Sequence, residues 1–158
     1  ELYNNGVLLC KWFDTEKDTL KDIEDYVREA KEAHNLNPDY LEMFVADFED
    51  DIGIYEGESL TYAFEISDII TGIEPWDLKK VRYMCSEAGF TLQGAIDNVE
   101  DCDMYEDMTL EQLAEQFVEE GFFGEIGEAI LCYLDYASIA RDLSYDYTEH
   151  KGDIFRCN

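Results

Sequence analysis

The stretch FGEIGEAILCYLDYASIARDL, Phe123 to Leu143, sets the reading of the C-terminal part of the chain. Ile126, Ala129, Ile130, Tyr133 and Leu134 recur at spacings of three and four, which predicts one helix from about Ile126 to Leu143 with these residues on its core face. Upstream, Thr109 and Gln112 have capping-box spacing ahead of Leu110, Leu113, Ala114, Phe117 and Val118, and Gly121 ends that helix. Downstream, Tyr145–Tyr147 and Ile154–Cys157 flank Lys151-Gly152 as the arms of a terminal hairpin.

Further towards the N-terminus, Leu20, Ile23, Val27 and Ala30 mark an amphipathic helix between Asp18 and Ala33. On either side of it, Val7–Phe13, preceded by the turn Asn4-Asn5-Gly6, and Leu41–Phe48 read as strands that pair with each other. Ser59 caps a helix with Tyr62, Ala63, Ile66 and Ile70 inward, closed by Gly72. Pro75 opens the next helix, Gly89 ends it, and Thr91–Val99 make a third; Asp101–Asp107 read as an acidic connection. The fold class is α+β, in three small domains: an α+β unit over 1–57, a helical middle over 58–100 and an α+β unit over 101–158 that holds the 123–143 stretch.

Charge narrows the function. With 39 Asp or Glu against 11 Lys or Arg, the chain carries a formal −28, a field that repels nucleic acid and acidic membranes and attracts basic surfaces. Its apolar content, 46%, excludes a disordered acidic tail. A halophilic enzyme could be as acidic, but the ratio of aromatic to small residues argues against one. The bases are unevenly placed, with none between Arg82 and Arg141 and none between Glu32 and Asp77. A duplex carries one charge per 1.7 Å of axis, so this excess equals the charge of about 48 Å of DNA.

No catalytic arrangement is legible. Asp47, Glu49, Asp51 and Glu58 fall on calcium-loop positions, but Ile52 occupies the place of the turn glycine, which comes one residue late at Gly53. His34 and His150 have neither a nucleophile motif nor zinc spacing, and there is no phosphate-binding glycine loop. The expectation is a non-enzymatic protein with no cofactor and no metal. Cys10, Cys85, Cys102, Cys132 and Cys157 form no C-x-x-C pair and read as buried thiols of a reducing compartment, hence the cytoplasm. No apolar run reaches transmembrane length.

The 123–143 stretch resembles the antirestriction motif of the ArdA family. In that motif a Gly-Glu start leads through an apolar helix to Tyr-x-Asp-Tyr and then Ala-Arg-Asp-Leu. Gly124 and Glu125 match the start; Tyr133, Asp135 and Tyr136 the middle; Ala140, Arg141, Asp142 and Leu143 the end. Tyr3–Asp14 is similar to the family's opening turn and Trp-containing strand, and Gly152, Ile154 and Phe155 to its closing strand. Gly127 departs from the pattern, standing where a helix-opening residue is common.

The resemblance implies a curved, elongated, dimeric DNA mimic that occupies the DNA-binding cleft of Type I restriction-modification enzymes in a bacterial host and is carried by mobile genetic elements. The mimic surface is then expected at Asp47, Glu49, Asp50, Asp51, Glu56, Glu58, Asp97, Glu100, Asp101, Asp103, Glu106, Asp107, Glu111, Glu115 and Glu119. The largely apolar motif is expected to serve packing and the dimer contact. The alternative is an acidic interaction module or chaperone for another basic DNA-binding or host-defence protein, which would bind its partner without competing with DNA.

Overall fold

A computed structural model describes residues 9–40, 42–49 and 52–157. The Asn4-Asn5-Gly6 turn, the start of the expected first strand, and Asp50 and Asp51 lie outside the described residues. Helices and a small antiparallel sheet make the fold α+β. The chain gathers into two compact units, Glu1–Glu74 and Pro75–Asn158.

The first unit is built on α1 (Leu20–Ala33) and α2 (Leu60–Thr71). Thr19 and Asp22 close a reciprocal capping box at the start of α1, and the Ser59 side chain accepts from the Tyr62 N–H at the start of α2. Ile23, Val45, Ile52, Ala63 and Ile66 are buried, whereas Tyr62, expected inward, is exposed. Lys31 is also buried, with its ammonium donating to the carbonyls of Asn37 and Tyr40.

Neither expected strand forms among the described residues 9–13 and 42–48. A strand exists only in a ladder, and Val45 makes a single pair of backbone bonds, from its N–H to the Glu58 carbonyl (2.9 Å) and from the Gly57 N–H to its own carbonyl (2.7 Å). β-propensity without a partner edge therefore leaves extended chain. The described part of this unit is helical with extended connections.

The second unit surrounds a sheet of order β1-β3-β2, all antiparallel, formed by β1 (Cys102–Tyr105), β2 (Thr148–His150) and β3 (Asp153–Cys157). Alternation along β3 sends neighbouring side chains to opposite faces. Ile154 packs with Leu113 and Phe117 of α5 (Leu110–Glu119) and with Tyr147, while Phe155 stacks on Tyr83 of α3 (Pro75–Ser86) at 4.2 Å between ring centres. Leu143, at the end of α7 (Tyr136–Leu143), packs against the α5 side. Lys151 and Gly152, both at positive φ, make the tight turn of the hairpin read from the sequence, with its first arm at 148–150 instead of 145–147.

Three further readings are corrected. The acidic connection 101–107 contains β1, because Cys102 and Met104 turn inward and Asp103 outward in a two-residue period. The 91–99 helix is α4 (Leu92–Asp97) followed by a 3-10 turn, Val99–Asp101. The single 126–143 helix is two, α6 (Glu128–Leu131) and α7, because Asp135 caps a new start after a turn at Cys132-Tyr133.

Cysteine usage is corrected as well. Cys102 and Cys157 are direct cross-strand partners joined by a disulfide, with Cα atoms 4.1 Å apart, while Cys10 and Cys132 are exposed and Cys85 is half-buried. The cysteines thus no longer argue for a reducing compartment.

Asp153 is the buried carboxylate of this unit. It accepts from the Asp107 N–H (2.9 Å) and from the Lys79 ammonium (3.3 Å), which also bonds Glu106 (2.6 Å). This ties α3 to the turn between β1 and α5, where Asp107 takes a positive φ. Leu113→Ala should destabilise the second unit by about 2–5 kcal/mol, and Thr109→Ala, which removes the α5 cap, by about 1 kcal/mol, both measured by denaturant unfolding.

Candidate functional site

Burial fixes where the carboxylates of the second unit stand. On α5, Leu113, Ala114, Phe117 and Val118 face the core, and the helical period leaves Glu111, Glu115 and Glu119 in a row on the exposed side. Four residues advance a helix by about 6 Å, so one such row is sparser than the phosphates of a duplex at one charge per about 1.7 Å. Other elements must add to it. Asp103 projects from β1, Glu106 and Asp107 from the following turn, and Asp97, Glu100 and Asp101 from the end of α4 and the 3-10 turn; all are exposed.

Not all of these charges are unopposed. Glu106 is ion-paired with Lys79, and Asp103 lies directly across from Arg156 in the β1–β3 register. Asp97 accepts from the Gln93 side chain (2.7 Å) without losing charge. In the first unit Asp47, Glu49 and Glu56 are exposed and Glu58 is half-buried. Asp47 accepts from the Phe48 N–H (2.9 Å), and a turn brings Glu58 back beside Val45.

The 123–143 stretch divides by environment. Gly124 has a positive φ that suits glycine, and Gly127 precedes α6 in extended backbone without any side-chain cap. Ile130 and Tyr133, expected in the core, are 56% and 82% exposed, because α6 is a single turn with no buried residue. Ile126 and Leu134 are half-buried, and Ala129 is exposed.

From Asp135 onward the stretch docks. α7 packs on α5, with Tyr136 and Ala140 half-buried and Leu143 against the core cluster. Arg141 pairs with Asp142 at 3.4 Å; both are largely exposed, so the pair contributes little.

Asp135 organises this second half. Its carboxylate accepts from the Ser138 hydroxyl (2.7 Å) and the Ser138 N–H (3.1 Å), and these bonds hold its pKa below the usual carboxylate range. Between the end of α5 and α6 a groove of roughly 600 Å³ is lined by Val118, Gly121, Ile126 and Leu131 and by Glu119, Glu120, Glu125 and Glu128. Sequence reasoning passed over Glu120 and Glu128, and over the exposed rings of Phe122, Phe123 and Tyr145. The glycines at 121, 124 and 127 were the available sign that this segment leaves the core.

Among the described residues no cluster of His, Cys, Asp or Glu has the arrangement to hold a metal ion, and no helix is long and apolar enough to cross a membrane. The family model for antirestriction protein ArdA matches residues 1–154. The chain belongs to the ArdA family. Antirestriction is therefore its activity class, and within the matched residues the 123–143 stretch consists of an exposed turn of helix, α6, and a docked helix, α7. No curated protein matches the chain.

Because the folded pKa of Asp135 lies below the unfolded value of about 3.9, its contribution to α7 is present above that value and is lost as pH falls through the folded one. Carboxyl titration by NMR should find Asp135 below the ordinary carboxylate range, and the Ser138 amide should lose exchange protection in the same acid window. Asp135→Asn should abolish that pH dependence. A normal Asp135 titration would contradict the capping role.

Proposed function

We propose that this ArdA-family protein is a DNA mimic that enters the DNA-binding cleft of Type I restriction-modification enzymes and blocks restriction and, to a lesser degree, modification. The observation that carries the reading is the distribution of carboxylates. They are exposed on several elements of both units, along stretches that contain no Lys or Arg. A cleft built to neutralise phosphates meets a comparable field, and binding releases counterions from the acidic surface.

The mimic acts by occupancy, without cofactor or turnover, in the cytoplasm of a bacterial host entered by a mobile element. In this reading it works as a homodimer, with domains 1–57, 58–100 and 101–158 presenting the charge. Ile130 and Tyr133 of the motif, with Phe122, Phe123 and Tyr145, supply exposed apolar area for the subunit contact.

The test is restriction of unmodified DNA by a purified Type I enzyme with the protein titrated in, alongside enzyme–DNA binding at two salt concentrations. Inhibition should be stoichiometric, competitive with DNA and weaker at high salt. Glu111→Gln, Glu115→Gln and Glu119→Gln should each weaken it by about two- to fivefold, cumulatively, since single exposed ion pairs contribute at most about 1 kcal/mol. Unchanged DNA binding and cleavage would overturn the reading in favour of an acidic module for another basic partner.

A further inference from the structure

The first unit exposes aromatic rings along a part of the chain that has no Lys or Arg between Lys31 and Lys79. Phe44 is 62% and Tyr55 67% exposed, yet both lie beside fixed backbone. The two bonds of Val45 to Gly57 and Glu58 hold one arm against the other, and the Tyr55 carbonyl accepts from the Glu58 N–H at 3.2 Å. Val45 turns inward, so extended backbone sends its neighbour Phe44 to the opposite side.

Glu42 and Glu56, also exposed, stand two and one residues from these rings. The same unit already uses its rings to hold cations: the Lys11 ammonium lies 4.6 Å from the Phe13 ring centre and 4.7 Å from that of Tyr26, and Lys31 lies 5.5 Å from that of Tyr40. Among the described residues no cation lies over Phe44 or Tyr55.

We propose that Phe44 with Glu42, and Tyr55 with Glu56, provide an exposed surface of ring-and-carboxylate pairs that receive arginine side chains of the basic partner. This rests on the mimic reading and deepens it by specifying the chemistry of contact. A guanidinium is planar and weakly hydrated, so it stacks on a ring while its edge bonds a carboxylate; an ammonium is a compact, strongly hydrated point charge that does both less well. The surface therefore discriminates by cation type, which a field of carboxylates alone does not.

The intact protein is titrated calorimetrically with deca-arginine and with deca-lysine at one ionic strength, alongside the double variant Phe44→Leu/Tyr55→Leu and a control at two exposed rings elsewhere, Trp12→Leu/Trp76→Leu. All have the same net charge, and leucine keeps apolar volume at exposed positions. The unsubstituted protein should prefer deca-arginine, and Phe44→Leu/Tyr55→Leu should reduce that preference by about three- to tenfold, while the control retains it. Absence of a preference, its survival in Phe44→Leu/Tyr55→Leu, or its equal loss in the control would each overturn the proposal. Failure of the mimic reading would appear separately, as lack of competition with DNA for the restriction enzyme.

Discussion

β3 must be buried on both faces at once. Ile154 belongs to the α5 side and Phe155 to the α3 side, and five residues of strand thereby draw two helices, the α7 end and the β1 edge around one sheet. In a protein that carries −28, this concentration of apolar contact is what opposes self-repulsion. The carboxylates are confined to outward positions because each one moved inward would need a partner such as Lys79 provides for Asp153.

That confinement gives the surface two chemistries. Helix and strand periods project acids from α5 and β1, while the stretch after Gly124 exposes Ile130 and Tyr133. Charge over a large area favours fast, salt-sensitive encounter, whereas a compact apolar patch favours a contact that salt does not weaken. The two are suited to different partners, consistent with the separate roles proposed for target and subunit.

Local signals were legible where local physics controls the outcome. Ser59, Thr109 and Gly121 lie at the helix ends they predicted, and Lys151-Gly152 is the hairpin turn. Errors arose where a distant partner decides. β1 needs an edge 55 residues away, and its two-residue alternation is masked by acid density; Leu41–Phe48 has the pattern of a strand, but among its described residues, 42–48, no ladder forms. The helical spacing from Ile126 to Leu134 is real but the helix is cut, since an N-capping Asp135 outweighs periodicity on either side of it. Exposed acids were legible as candidates because helix period and capping determine their side, but the ion pair that offsets Glu106 depends on α3 and was not.

The inward use of Lys31 has a thermodynamic corollary. The Lys31 ammonium donates to the neutral carbonyls of Asn37 and Tyr40 and its charge is already counted in the net −28, so most neutralisation of the free protein falls to mobile ions from the solvent. Such a protein behaves as a folded polyelectrolyte. Added salt relieves the repulsion among its own carboxylates and favours the compact state, while the same salt lessens the gain from releasing those ions to a partner. Its folding and its binding therefore respond to ionic strength with opposite sign.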